Sequence, residues 1–225
     1  MLLRLPKSGT APSLVSEAGV GLAAVTTLGG IAYWLENPTV DGGSTYMVKS
    51  APLSGGAVSL VAQFNSENWV QFLGVTSSTA FVGSELSDEV QSFPVTGLPS
   101  SGLKTVDASC GALASDTDAV YYSGGAWALA IASNGTTNSI GTVLESAGTR
   151  FAGLENPEQL VDDTSVYEVV AFLVDGGNLG SIQKTPKTGG ATIVVAQGVV
   201  PTAIAVDARW LYWSDRSGFL KRVPK

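Results

Sequence analysis

The sequence predicts an all-β protein built from repeated sheets, and three observations support this prediction. Glycine is abundant, with 27 glycines in 225 residues, and only 14% of the residues are charged. Short apolar runs alternate with glycine-rich turns along the chain, as is typical of proteins with many short strands. The same short pattern also recurs several times. Because 44% of the residues are hydrophobic, we expect a buried core in a single domain spanning residues 1–225.

The first part of the repeat is clearest in "AIAVDARWLYWSD" at residues 203–215. Ungapped copies occur at 112–124 and 159–169, a looser copy at 73–85, and one with a single insertion at 23–36. Each copy predicts an apolar inner strand, a turn, and a second strand whose aromatic residue packs between adjacent sheets. That aromatic column consists of Tyr33, Phe81, Tyr121, Tyr167 and Tyr212.

Two more strands follow each copy. A third strand carries a proline near its end in every unit except one, where alanine replaces it, and a glycine-containing turn and an apolar outer strand come next. Four short strands per roughly 40–50 residues are typical of β-propeller blades. We expect the inner strands to be buried on both faces, because they are continuously apolar. The proline column consists of Pro6, Pro52, Pro94, Ala132, Pro186 and Pro224.

The number of strands of each kind leaves two arrangements open. We count five inner, five second, six third and five outer strands in the sequence. This predicts about five four-stranded blades in a ring, closed when the N-terminal strand "APSLVSEA" completes the C-terminal blade. The alternative is a fragment of a six- or seven-bladed propeller. The lack of a signal peptide would favour the fragment if the protein is exported.

Residues 212–215 read "YWSD", and the surrounding columns resemble the YWTD-type propellers of low-density lipoprotein receptors and their bacterial relatives. The earlier units depart from that tetrad, with "YWLE", "FVGS", "YYSG" and "YEVV" in its place. The resemblance implies a propeller with a binding or scaffolding role. It also implies an extracytoplasmic location (secreted, periplasmic or on the cell surface), for a chain that here carries no signal peptide.

Composition argues against several functions. The net charge of −7 and the pI near 4.5 disfavour binding to nucleic acids and anionic membranes. There is no histidine, which is the commonest general base, and the single cysteine excludes an intrachain disulfide. We therefore predict a monomeric, non-catalytic binding protein with no catalytic residues, metal or cofactor. The alternative is a propeller enzyme, a metal-assisted hydrolase or lyase that uses carboxylates at the channel mouth.

One uncharged stretch, residues 19–35, has nearly the length of a membrane span. Its glycines at 29 and 30 align with the turn between the inner and second strands of the repeat. We therefore predict a β-hairpin here and no membrane span.

Candidate ligand contacts lie in the long loops at 35–46, 63–71, 147–159 and 173–180. Loops on a rigid scaffold often carry binding groups, although these could also be ordinary solvated loop tips. Trp69, set among polar residues, is the candidate anchor for a protein or carbohydrate ligand. The predicted ligand-binding residues are Asn37, Asp41, Glu67, Trp69, Arg150, Asn156, Glu158 and Asp175.

A column of acidic residues follows three inner strands, at Asp116, Asp162 and Asp207. These carboxylates could ring the channel and hold a cation such as Ca²⁺. They could instead cap the following turn by accepting backbone hydrogen bonds. Thr26 and Thr76 occupy the same column and can cap a turn but bring no charge, so capping is the favoured interpretation.

Overall fold

A computed structural model describes fourteen segments of the chain, and every regular element in them is a β-strand. The described segments are residues 2–4, 13–16, 21–37, 45–67, 69–84, 89–95, 106–107, 112–124, 127–132, 137–142, 159–174, 177–199, 201–215 and 218–225. The chain forms two compact units. The first unit is Met1–Cys110 with Asp116–Val120, and the second is Gly111–Ser115 with Tyr121–Lys225.

The first unit contains three antiparallel sheets. A two-stranded sheet pairs β1 (Leu2–Arg4) with β2 (Ser13–Ser16). The next sheet runs in sequence order through β3 (Leu22–Leu28), β4 (Ile31–Glu36), β5 (Thr45–Pro52) and β6 (Ser59–Asn65). The third runs through β7 (Phe72–Val75), β8 (Thr79–Gly83), β9 (Glu89–Pro94) and β10 (Val106–Asp107).

The remaining strands form three more sheets, also in sequence order. One contains β11 (Ala112–Ser115), β12 (Ala119–Gly124), β13 (Trp127–Ala132) and β14 (Thr137–Thr142). Another contains β15 (Gln159–Val161), β16 (Ser165–Val174), β17 (Gly177–Pro186) and β18 (Ile193–Gln197). The last has three strands, β19 (Pro201–Val206), β20 (Trp210–Asp215) and β21 (Leu220–Pro224).

These strands match the predicted repeat, including its proline column. Proline is the last residue of β5, β9, β17 and β21, and Ala132 is the last residue of β13. Proline has no N–H to continue the ladder, so the strand stops there. The next residue then donates its N–H to the turn after the inner strand, as from Leu53 to the Gly30 carbonyl at 2.8 Å and from Lys187 to the Thr164 carbonyl at 2.9 Å. Pro6 lies outside the described residues.

The uncharged stretch 19–35 forms the predicted hairpin within its described part. β3 and β4 pair across Gly29 and Gly30, whose φ angles are 58° and 80°. Two successive positive φ values suit a two-residue hairpin turn, and glycine adopts them at little cost. In the described part of the chain, no helix has the length and apolarity needed to cross a membrane.

Two members of the aromatic column, one in each unit, pack between sheets as predicted. Tyr33 belongs to a core cluster in the first unit that includes Val48 and Phe64 of its own sheet and Val75 and Phe93 of the next. In the second unit, Tyr167 packs in a core cluster with residues of its own sheet and the last one. That cluster comprises Tyr167, Val169, Ile182, Ile204, Leu211 and Trp213.

The prediction that inner strands are buried on both faces is wrong for β3 and β19. Val25 of β3 is 51% exposed, and Ala203 and Ala205 of β19 are also exposed. One face of each strand does pack on a core cluster, through Ala24 in β3 and Ile204 in β19. An apolar sequence indicates that a strand can be buried, but it does not show which of its faces another sheet covers. By contrast, β7 is largely buried.

The predicted closure of the C-terminal blade is not seen in the described part of the chain. The N-terminal strand β2 pairs with β1, through Leu3↔Leu14 and Arg4↔Ser13. The sheet that contains β21 has three strands. The predicted five inner, five second, six third and five outer strands nevertheless each correspond to a strand of the structure.

Candidate functional site

Three of the predicted ligand-binding residues lie at one edge of the sheet β3–β6, which we call the loop edge of the first unit. Asn37 directly follows β4, and Glu67 and Trp69 follow β6. The pairings Leu22↔Glu36 and Thr45↔Asn65 place the end of β4 and the end of β6 at the same edge. The other five predicted residues lie outside the described residues. They are Asp41, Arg150, Asn156, Glu158 and Asp175.

Trp69 is an exposed aromatic residue on an anchored segment. Its side chain is 59% exposed, whereas the adjacent Val70 is 4% exposed. The Val70 N–H donates to the Tyr46 hydroxyl at 3.3 Å, and the Gln71 N–H donates to the Gly83 carbonyl at 3.0 Å. The chain next to Trp69 is thus held to two strands while the indole faces solvent.

A close backbone approach holds the same edge at Gly21. The Asn37 N–H donates to the Gly21 carbonyl at 2.9 Å. Gly21 has a φ of +82°, and a Cβ there would lie 2.1 Å from the Asn37 carbonyl oxygen. Only glycine fits both the backbone angle and the space. The sequence showed several glycines near this point and gave no sign of which one the contact requires.

A buried ion pair, missed by the sequence analysis, supports the end of β4. Glu36 is 1% exposed; its Oε1 accepts from the Trp34 indole Nε1 at 2.6 Å and its Oε2 from Lys49 Nζ at 2.6 Å. Both carboxylate oxygens are therefore engaged. In sequence, "YWLE" departs from the family tetrad, yet its acidic residue holds two strands together.

The acidic column caps turns, as favoured from the sequence. Oδ1 of Asp116 accepts the N–H groups of Asp118 and Ala119 at 2.8 and 2.9 Å. Asp162 does the same for Thr164 and Ser165, and Asp207 for Arg209 and Trp210. In the first unit, the Thr76 hydroxyl accepts the Thr79 N–H at 3.1 Å.

In Asp162 and Asp207, the second carboxylate oxygen also accepts hydrogen bonds. Oδ2 of Asp162 accepts from the Tyr167 hydroxyl at 3.0 Å, and Oδ2 of Asp207 from the Tyr212 hydroxyl at 2.8 Å. Lys225 Nζ also binds Asp162 Oδ2 at 2.6 Å. No group of three or more acidic or cysteine side chains in the described residues could hold a metal ion.

These contacts shift the ionisation of the two aspartates. Burial would raise the pKa of Asp162, but hydrogen bonds from Lys225, Thr164, Ser165 and Tyr167 outweigh it and hold that pKa well below its ordinary value. Hydrogen bonds from the Arg209 N–H, the Tyr212 hydroxyl and the Trp210 N–H lower the pKa of Asp207. Both carboxylates are therefore anionic hydrogen-bond acceptors at neutral pH.

A second surface feature lies in the second unit, at the turns that join β15 to β16 and β17 to β18. A cavity of about 530 Å³ is lined there by Asp163, Thr164, Ser165, Lys184, Lys187 and Ile193, among others, and we call it the lysine cavity. These residues are not among the predicted ligand contacts. The sequence feature that could have pointed to them is the distribution of charge. Residues 177–225 hold seven of the twelve basic residues and two of the nineteen acidic ones.

Comparisons with known proteins support the fold. No protein-family model matches the chain, and no curated protein matches it. A chain in the crystal structure of a nidogen/laminin complex matches with a TM-score of 0.59 and 14% identity, covering 96% of this chain and 81% of that chain. BamB from Moraxella catarrhalis matches with a TM-score of 0.54 and 14% identity, covering 89% of this chain and 60% of that chain. Together with the repeated sheets, these likenesses define the class of the protein as a β-propeller.

Proposed function

We propose that this chain is a non-catalytic β-propeller that binds a protein partner through the loop edge of its first unit. The observation that carries the proposal is Trp69, which is 59% exposed beside a buried, hydrogen-bonded residue. Tryptophan is enriched among the residues that dominate binding energy. A side chain on an anchored backbone also loses little conformational freedom on binding.

The surrounding residues supply the polar rim that such an anchor needs. Glu67 is exposed, and Asn37 is half-buried with its backbone fixed to Gly21. Asp41, four residues after Asn37 in the sequence, is proposed to extend this rim. Arg150, Asn156, Glu158 and Asp175 are proposed as contacts in the corresponding long loops of the second unit.

We further propose a family, a domain organisation and a cellular location for the chain. The "YWSD" tetrad at 212–215 supports membership of the YWTD-type propellers and, through that resemblance, an extracytoplasmic location. The repeat that runs along the chain supports a single domain over residues 1–225. The fold likeness to a chain of a protein–protein complex, nidogen/laminin, is consistent with a protein partner. A closed ring of about five blades remains our proposed arrangement.

A peptide selection tests the binding role. A random-peptide phage library is selected on the purified full chain, and the peptides recovered are measured against variants. Trp69→Ala is expected to weaken binding by about thirtyfold, the effect of an interface residue worth about 2 kcal/mol. The matched control is Phe219→Ala, because Phe219 is an aromatic residue that is 67% exposed.

The control variant is expected to bind within about twofold of the wild type. Equal binding by Trp69→Ala and the wild type would contradict the proposed site. Equal losses in both variants would show that binding follows exposed apolar surface in general. In a parallel glycan array, binding to glycans with no recovered peptide would replace the protein partner with a carbohydrate.

A further inference from the structure

The outer strands of three sheets share a β-bulge at the same position. The pairs β5–β6, β13–β14 and β17–β18 each shift register once, because the outer strand contributes one extra residue there. That residue is apolar, and a small residue follows it. The three bulge positions with their following residues are Val61-Ala62, Ile140-Gly141 and Val195-Ala196.

The N-terminal pair β1–β2 repeats this arrangement. The pairings Leu2↔Ser16 and Leu3↔Leu14 leave Val15 as the extra residue, and the small Ser16 follows it. Thus β2 has the register of an outer strand, and β1 has that of the third strand on which an outer strand lies.

Strands β1 and β21 have closely similar sequences. Residues 2–7 read "LLRLPK" and residues 220–225 read "LKRVPK", which are identical at four of six positions. Leu220 and Arg222 correspond to Leu2 and Arg4. An outer strand that fits β1 should therefore also fit β21 in the same register, with Ser13 of the outer strand opposite Arg222.

Strand β21 has an open edge in the described part of the chain. It pairs with β20 on one side, without a register shift, and lacks an outer strand on the other. The Lys225 N–H donates to the Arg209 carbonyl at 3.3 Å, on the β20 side. Because N–H groups alternate in direction along a strand, the Arg222 N–H points to the open edge. Such an edge is a template for an added strand.

Leu220 shows what an outer strand would cover. It is 75% exposed, whereas Val48 and Ile182, which hold the same position in β5 and β17, are each 0% exposed. Val48 belongs to one core cluster with the bulge residue Val61, and Ile182 packs in another with Val195. An outer strand with an apolar bulge residue therefore helps to cover this position in the four-stranded sheets.

We propose that β2 of a second copy of this chain adds to the open edge of β21 as its outer strand. Two copies then exchange β2 and form a dimer, in place of the monomer predicted from composition and of closure by the chain's own strand. The exchange moves β2 from a two-stranded pair, which is marginally stable, to a sheet that packs on a core cluster. Exchange of an identical element is a low-cost route to a dimer.

Disulfide trapping between two differently substituted copies tests the exchange. One full chain carries Ser13→Cys and the other Arg222→Cys, and both carry Cys110→Ala to remove the single native cysteine. The chains are mixed, incubated and oxidised, because residues directly opposite each other on paired strands lie within disulfide distance. We expect a disulfide that joins the two variants, identified by mass spectrometry.

The matched control uses Lys221→Cys in place of Arg222→Cys. Lys221 is the adjacent residue, so its side chain points to the other face of the sheet. Its side chain is 46% exposed, so a cysteine there is also accessible. The yield of the joined product should be at least about tenfold lower than with Arg222→Cys. Equal yields would show random collision and would overturn the proposal.

Light scattering with size-exclusion chromatography measures the association without cysteines. The wild-type mass should rise from one chain towards two as concentration increases. Arg222→Pro removes the edge N–H and should weaken dimerisation by at least about tenfold, whereas Arg222→Ala keeps that N–H and should stay within about threefold. Circular dichroism checks that the proline variant folds. If it does not, Leu220→Ser tests the same edge at an exposed position, with an expected loss of about threefold.

Two further outcomes would overturn the proposal. One is a wild-type mass of a single chain at every concentration together with no joined product. The other is a disulfide within a single chain that carries both Ser13→Cys and Arg222→Cys, which would show that the chain's own β2 completes the sheet. Trp69→Ala should leave dimerisation unchanged, so this proposal and the binding role of Trp69 can fail separately.

Discussion

The first and last copies of the tetrad, "YWLE" at 33–36 and "YWSD" at 212–215, place the same kind of ion pair in different surroundings. Trp34 pairs in register with Lys49, and Trp213 with Lys221, so the two lysines hold equivalent positions. In the first copy, the side chains of Lys49 and Glu36 are 24% and 1% exposed. In the last copy, those of Lys221 and Asp215 are 46% and 11% exposed.

The two copies also differ at the tryptophan. The Trp34 indole N–H donates to Glu36, whereas the buried Trp213 indole N–H has no hydrogen-bond partner in the described part of the chain. Glutamate is longer than aspartate by one methylene, which is enough to bring its oxygen to the indole. The copy that departs from the family tetrad therefore has the more complete network. A motif match therefore identifies a position in the blade, whereas burial determines how much the contact there contributes to stability.

The largest effect is expected from Lys49→Met. This variant leaves the Glu36 carboxylate buried without its ammonium partner, and removing one member of a buried pair costs about 3–5 kcal/mol. Urea unfolding of the full chain measures the change. The matched variant in the exposed copy, Lys221→Met, should cost at most about 1 kcal/mol. Equal losses in the two variants would contradict the role given to burial.

A smaller loss of stability is expected from Asp162→Asn, and its size depends on pH. The folded-state pKa of Asp162 lies below its unfolded value of about 3.9, so its contribution to stability is complete above that value and is lost as the pH falls through the folded pKa. The variant should lose about 2 kcal/mol at neutral pH, because several hydrogen bonds to a charged group are weakened. Its free energy of unfolding should then fall less between pH 5 and pH 2 than that of the wild type, as measured by urea unfolding at several pH values.

Asp207→Asn is the matched variant, because Asp207 holds the position of Asp162 in the last copy of the repeat. The pKa of Asp207 is lowered in the same direction, but this carboxylate is exposed and bears no ion pair in the described residues. Its effect on the pH dependence should be the smaller of the two. A larger effect from Asp207→Asn would show that the ion pair from Lys225 does not stabilise the Asp162 turn.

A gain in stability is expected from Asp215→Glu. The longer side chain can reach the unpartnered Trp213 indole N–H, as Glu36 reaches Trp34, and satisfying a buried donor is worth about 1 kcal/mol. Thermal and urea unfolding would both detect the gain. In a Trp213→Phe background, which lacks the indole N–H, the same substitution should bring no gain. A gain of equal size in that background would assign it to another cause.

The strand pattern could be predicted from sequence because each blade position imposes a local requirement. A proline at the third-strand end, two glycines at 29–30, and an acidic or hydroxyl residue at the turn each act through nearby backbone groups. Such requirements leave residues of the same kind in the same column of most copies. This is why the hairpin at 29–30 and the capping role of Asp116, Asp162 and Asp207 are confirmed.

The parts that could not be predicted depend on which segments meet in space. Glu36 and Lys49 are thirteen residues apart, on strands joined by a loop whose length differs between copies of the repeat. The exposure of Val25 depends on a neighbouring sheet, about which the apolar strand says nothing. Trp69 could be proposed as a ligand contact from its polar neighbours, but its anchoring through Val70 and Tyr46 could not. The lysine cavity joins turns that are distant in sequence.

The most direct test of the binding role uses the indole N–H signals of the five tryptophans in a nitrogen-15 labelled full chain. The Trp69 signal is assigned by its loss in Trp69→Phe, and the spectrum is recorded as a selected peptide is added. We predict that the Trp69 signal shifts or broadens in proportion to peptide bound, whereas the signal of buried Trp34, bonded to Glu36, stays in place. A peptide that saturates the chain and leaves the Trp69 signal unchanged would contradict binding at the loop edge.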